Sequence, residues 1–215
     1  MSCRVKICGV TSVDDAQLAV DSGADLLGVN LIPSSKRFVD LDTARRIVDR
    51  VKGQLLTVLV LADPTAEQVA QLRDLGADYL QLHGNESIEQ VTQLGPKVFK
   101  AARIGSKEDA VLAAQYPGEM LLVDAKVPGV LGGSGTPFDW ALVENLASSK
   151  KLILAGGLTA NNVAAAMAAV HPWAVDVASG VEDPGNARRK SPEKVRAFLT
   201  AVRTQVIKQP SLGTP

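Results

Sequence analysis

Residues 151–180 read KLILAGGLTANNVAAAMAAVHPWAVDVASG. The run KLILA is apolar enough for a buried strand, and AGGLT is a glycine turn. Thr159 then opens a stretch, ANNVAAAMAAV, with the apolar spacing of a helix, and AVDVAS returns to a strand. Strand, crossover helix and strand make the unit of a parallel sheet. The alternation extends back to the start of the chain. Short runs rich in Val, Leu and Ile recur as RVKIC, ADLLGVNL, LLTVLVL, DYLQLH, KVFKAA and MLLVD, giving eight strands in all. Helix starts fall between them at Thr11 or Ser12, at Asp63 and Pro64, and at Ser106, so each strand is followed by a helix-like segment. Eight such pairs in about 200 residues specify an α/β fold, a single (βα)8 TIM barrel near its lower size limit. A doubly wound open sheet is the alternative. The strand count and the lack of a G-x-G-x-x-G turn after the first strand argue against it. The barrel is expected to span residues 1–207, with KQPSLGTP, 208–215, as a flexible tail.

Composition narrows the function. The chain has 215 residues, 46% of them hydrophobic and 21% charged, enough for one sizeable core. Its 23 basic and 23 acidic side chains cancel, so no field draws it to nucleic acid or to an anionic membrane, and a small ligand is expected. The start, MSCRVKICG, lacks an apolar targeting core, and no run is long enough to span a bilayer, which reads as a cytoplasmic protein. Cys3 and Cys8 are too few for a disulfide framework. On an extended strand they lie about 16 Å apart on opposite faces and cannot bridge. No metal site is expected, because His83 and His171 stand far apart and neither belongs to a Cys/His cluster.

Barrel enzymes place their chemistry where strands end and loops begin, on one rim. At that rim fall Cys8, Asn30, the PSSKRF loop, His83, Asp124, AGG after strand seven and SGVE after strand eight. On the first strand Val5 and Ile7 share the face that packs on helices, which turns Lys6 and Cys8 inward. A free cysteine is more often a small buried hydrophobe than a base, but its place on the rim favours chemistry. Asp124 closes the apolar run MLLVD, where a carboxylate is expensive to desolvate unless something uses or pairs it; capping a loop is the other reading. A thiol and a carboxylic acid facing each other across the mouth suit a proton-shuffling isomerase. The glycine loops GGSG (132–135), AGGLT (155–159) and SGVE (179–182) favour a phosphate held by backbone N–H groups, with Gly156, Gly157, Ser179 and Gly180 as its expected contacts. Arg37 lies in a basic loop with Ser34, Ser35 and Lys36, and its guanidinium can grip a carboxylate in bidentate fashion. His83 can touch ligand or orient a loop. Asp176 points into the barrel, with Lys6 as its expected partner. The loops after strands three and four, ADPTAEQ and GNES, offer one glycine beside Glu86, whose charge would repel a second phosphate, so one phosphate site is expected.

KICGVT, GADLLGV, SSKRFV, LQLHGNES, LLVDA, GGSGTPFDW, LILAGGLTANNV, VDVASGVE and SPEKVRAFLTAVR, in this order and over nearly the whole chain, resemble the phosphoribosylanthranilate isomerase family. The resemblance implies a (βα)8 barrel without cofactor or metal, and an Amadori rearrangement in tryptophan biosynthesis. In it N-(5-phosphoribosyl)anthranilate becomes 1-(2-carboxyphenylamino)-1-deoxyribulose 5-phosphate. By matched motif it implies Cys8 as general base, Asp124 as general acid, Arg37 at the anthranilate end, and the AGG and SGVE loops at the phosphate. A different phosphosugar isomerase or epimerase on the same fold, or a non-catalytic phosphate-binding barrel, are the competing readings.

Overall fold

The computed structural model of the chain describes residues 3–125 and 139–208. Eight parallel strands close into a barrel in sequence order, with the last paired to the first. They are β1 (Arg4–Cys8), β2 (Leu26–Asn30), β3 (Leu56–Leu61), β4 (Tyr79–Leu82), β5 (Val98–Ile104), β6 (Met120–Ala125), β7 (Lys151–Leu154) and β8 (Ala174–Val177). Around them run α1 (Val13–Asp21), α2 (Leu41–Val51), α3 (Ala66–Arg73), α4 (Ile88–Gln93), α5 (Lys107–Ala114), α6 (Val163–Val170) and α7 (Pro192–Lys208). The last helix carries the fold to Lys208, and the rest of the expected tail lies outside the described residues.

Strand alternation sorts the core into two shells. Val5 and Ile7, Leu27 and Val29, Leu121 and Val123, Val175 and Val177 face outward into the helix layer. Their neighbours Leu26, Leu122 and Ala174 turn inward and, with Val58, Phe99, Met120 and Ile153, plug the barrel with apolar side chains. Above this plug the inward positions become polar, namely Lys6, Gln81, Asp124 and Asp176, all buried. The apolar plug seals the floor and leaves the chemistry to the C-terminal mouth.

Helix starts follow local hydrogen-bonding logic. Ser12 caps α1 by accepting from Asp15 N, and Thr65, Ser87 and Ser106 form reciprocal capping boxes at α3, α4 and α5. Two starts differ from expectation. Thr65 rather than Asp63 caps α3, because the Asp63 carboxylate instead accepts Asn85 N from the next loop. Before α6 the cap position is Asn162, whose amide oxygen accepts from Thr159 N. Two further elements depart from the simple alternation. Before β7 the described residues form short 3-10 turns, Trp140–Leu142 and Glu144–Ser148, rather than an α-helix. After β8 a 3-10 turn, Ser179–Val181, leads into an antiparallel hairpin of β9 (Glu182–Asp183) and β10 (Asn186–Lys190) ahead of α7. No described helix is long and apolar enough to cross a membrane.

Candidate active site

A cavity of about 390 Å³ opens at the C-terminal mouth, lined among others by Cys8, Asn30, Arg37, His83, Asp124 and Asp176. Cys8 reaches it because Val5 and Ile7 occupy the opposite face of β1, each fully buried in the helix layer. Gly9 then turns the chain at φ +70°, and a Cβ there would lie 2.2 Å from Arg37 Cδ, so only glycine lets the arginine stem cross behind the thiol. Gly28 is the register partner of Cys8 on β2. A Cβ on Gly28 would sit 2.8 Å from Cys8 Sγ and 3.1 Å from Lys6 Nζ, so its bare backbone leaves the thiol and the ammonium room to converge.

The floor of the cavity is a polar chain. Lys6, with no exposed surface, donates to Asp176 Oδ1 at 2.9 Å and to Gln81 Oε1 at 3.0 Å. Burial disfavours its ammonium, but Asp176 and Cys8 together outweigh that and hold its pKa above the ordinary lysine value. The expected Lys6–Asp176 pair is therefore present. Burial, followed by the Asp176 carboxylate, pushes the Cys8 thiol up, against the opposing pull of Lys6 and Lys190. Cys3 faces away from the mouth, and burial raises its thiol to about 12. Burial and then the nearby Lys100, Lys6 and Arg103 hold His83 down at about 3, so it is a neutral imidazole. Its 3.8 Å approach to Asp124 Oδ2 is accordingly not an ion pair. Asp124 is buried, and its Oδ1 accepts Ala125 N at 2.8 Å.

Arg37 is fixed from two sides. Ser35 Oγ accepts Arg37 N at 3.1 Å, and the guanidinium Nε donates to the buried Glu182 of β9. Its Nη2 is a buried donor beside the cavity without a hydrogen-bond partner in the protein. The β9–β10 hairpin supplies this brace. Arg188 donates to Phe38 O at 2.8 Å, and Lys190 N donates to Asp15 Oδ2 at 3.2 Å, tying the hairpin to the β2 loop and to α1. Lys190 is buried beside Glu182, and desolvation lowers it to about 8 despite that carboxylate.

The glycine loops meet next to the acid. Gly156 (φ +93°) and Gly157 (φ +63°) follow β7, and a Cβ on Gly156 would lie 3.0 Å from Ala125 N and 3.2 Å from Asp124 Oδ1. A Cβ on Gly180 would lie 2.1 Å from Leu158 O, so the loops after β7 and β8 are pressed together. Asn162 Nδ2 holds Gly157 O at 2.9 Å. Gly156, Gly157, Ser179 and Gly180 lie in the loops after β7 and β8 and are not among the residues that line the cavity, although Ala178 beside them is. GGSG at 132–135 lies outside the described residues. The loop after β4 corrects one expectation. Glu86 cannot repel an anion, being buried and neutralised by Lys100 at 2.9 Å. Its carboxylate accepts Asp63 N and Gly84 N, and Asp63 Oδ1 accepts Asn85 N, so these amides of the corner are already hydrogen-bonded. Among the described residues no group of His, Cys, Asp and Glu could hold a metal ion.

A family model described as N-(5'phosphoribosyl)anthranilate (PRA) isomerase matches residues 5–201. The chain belongs to the N-(5'-phosphoribosyl)anthranilate isomerase family. The isomerase of Desulforudis audaxviator is 45% identical over 202 residues, 93% of this chain and 97% of its own. That of Myxococcus xanthus is 43% identical over 212 residues, 95% and 98% of the two chains. The crystal structure of phosphoribosyl anthranilate isomerase from Thermotoga maritima has a TM-score of 0.86 at 33% identity, covering 94% of this chain and 99% of that one. An isomerase in complex with reduced 1-(o-carboxyphenylamino)-1-deoxyribulose 5-phosphate gives 0.83 at 31% identity, covering 94% and 99%. Within this isomerase fold, three residues at the mouth had not stood out in the sequence. Gln81 is a lone polar residue in an apolar strand, Glu182 reads as the end of a glycine loop, and Lys190 lies on the unforeseen hairpin. The only sequence sign of that hairpin is the turn Asp183-Pro184-Gly185-Asn186 between short polar runs.

Proposed function

We propose that the chain catalyses the reaction of its family, the Amadori rearrangement of N-(5-phosphoribosyl)anthranilate, with Asp124 as general acid and Cys8 as general base. The observation that carries this reading is their placement on one cavity at opposite parts of the rim, one on β1 and one on β6. Asp124 gives its proton to the ribose ring oxygen, the C1–O bond breaks, and the anthranilate nitrogen pair forms an iminium. The Cys8 thiolate then removes the proton from C2, the pair of that C–H bond forms the C1–C2 double bond, and the π pair of the iminium returns to nitrogen. The resulting enolamine tautomerises to the ketone. The buried Nη2 of Arg37 supports a contact with the anthranilate carboxylate. The paired loops at Gly156, Gly157, Ser179 and Gly180 support a backbone site for the phosphate. The partner is then a small phosphorylated molecule. Two free cysteines suit the reducing cytoplasm expected for it.

Purified protein should consume N-(5-phosphoribosyl)anthranilate with loss of its anthranilate fluorescence. Binding without turnover would instead support a non-catalytic phosphate-binding barrel. Because burial raises the Cys8 thiol, its alkylation rate in a Cys3→Ser background is expected to climb between about pH 7 and about pH 9. A rate that is level over that range would contradict the raised thiol. Arg37→Lys keeps the charge but loses the fork and the Glu182 brace. It should lower kcat/KM about 10- to 100-fold, the equivalent of one charge-assisted hydrogen bond, mostly through KM.

A further inference from the structure

Gln81, on the inward face of β4, stands two residues before His83, which follows the strand, and touches it, with its amide nitrogen 3.2 Å from His83 Nδ1. The other end of the amide accepts from Lys6 Nζ at 3.0 Å. An ammonium only donates, so it fixes which end of the amide is oxygen. The NH2 group must therefore face the imidazole, and Nδ1 must accept. In a neutral ring that places the proton on Nε2. Nε2 is buried, has no hydrogen-bond partner, and lies 3.8 Å from Asp124 Oδ2.

We infer that Gln81 is a positioning residue of this active site: held by Lys6, it locks His83 in the Nε2–H tautomer aimed at the carboxyl of Asp124. The inference rests on the acid–base reading above. In the opposite tautomer Nε2 would carry a lone pair toward the acid and compete with the sugar ring oxygen for its proton. With Nε2–H it can only donate, which stabilises the carboxylate left after the proton has gone to substrate. Asp176 supports the lock by keeping Lys6 charged. Burial, and after it the cations Lys100, Lys6 and Arg103, keep His83 from becoming an imidazolium that would donate at both nitrogens. Asp124 is the acidic group within reach of its Nε2.

The chain has two histidines, and His171 occupies a left-handed position, φ +50°, that asparagine tolerates, so His171→Asn leaves one imidazole to observe. Nitrogen-15 NMR of this protein should show His83 with Nδ1 unprotonated and Nε2 protonated, unchanged from about pH 5 to about pH 9. Gln81→Glu keeps the Lys6 contact but turns an acceptor toward Nδ1. It should move the proton to Nδ1 and lower kcat about 100-fold with little change in KM, the low end of what one acid–base group contributes. Gln81→Met, which only removes the lock, should lose less and show a mixture of tautomers. An Nδ1–H signal in the parent protein would overturn the inference without any variant. So would a Gln81→Glu protein with the tautomer switched and kcat intact. The tautomer is read without substrate, so an enzyme that fails to turn over N-(5-phosphoribosyl)anthranilate would refute the proposed reaction and leave the tautomer assignment standing.

Discussion

Cys8→Ala and Asp124→Asn are each expected to fold normally and to lose about 10²- to 10⁴-fold in kcat, the contribution of a positioned general base or acid. Both substitutions are near-isosteric or smaller, and neither breaks a strand. Cys8 lies at the end of β1 and Asp124 near the end of β6, where the inward side chain faces the cavity rather than the packed shell. The two variants should fail at different steps. Asparagine has no acidic proton for the ring oxygen, so Asp124→Asn should leave the closed-ring substrate untouched. Cys8→Ala keeps the acid, so ring opening proceeds and the iminium reverts without losing its C2 proton. Steady-state kinetics with rapid-quench analysis of bound species would separate them, and near-parent kcat in either variant would remove that residue from the mechanism.

Lys6→Met is expected to lower stability by about 3–5 kcal/mol, because it leaves the Asp176 carboxylate buried and unpaired. The pair spans β1 and β8, the two strands that close the barrel, and Lys6 also carries Gln81. Adding Asp176→Leu removes the orphaned charge, and replacing a buried pair by apolar side chains is often neutral or stabilising, so the double variant should regain most of the loss. Activity should not return with it. The ammonium also lowers the cost of ionising Cys8, and without it the thiol should titrate higher still. Urea unfolding measures the first effect, and the pH dependence of Cys8 alkylation in a Cys3→Ser background measures the second. A Lys6→Met protein as stable as its parent would contradict the pairing.

The parts of this molecule legible in its sequence are those set by short-range rules. Eight apolar runs announce eight strands because each is buried on both faces and needs no partner to be recognised. Parity on β1 points Lys6 and Cys8 inward, and the cost of a lone buried charge is enough to pair Lys6 with Asp176. What stays hidden depends on contacts between distant segments. Gln81 is 75 residues from Lys6 in the chain, and the amide could as well have been a solvated edge residue until the barrel closed around it. Glu182 meets Arg37 across 145 residues, through a hairpin whose polar strands lack the apolar signature of the barrel. Glu86 reads as a solvated loop charge, yet Lys100 on the neighbouring strand draws it into the interior. The family resemblance supplies roles for the matched motifs and is silent about this second tier of supports.

Substrate carrying deuterium at C2 of the ribose tests the acid–base account most directly. With the parent enzyme the label should be lost to solvent as product forms, with a slowed rate if proton removal limits turnover. With Cys8→Ala and with Asp124→Asn the label should stay in place over the same period. Release of deuterium at the parent rate by either variant would contradict the assignment of base and acid to these two side chains.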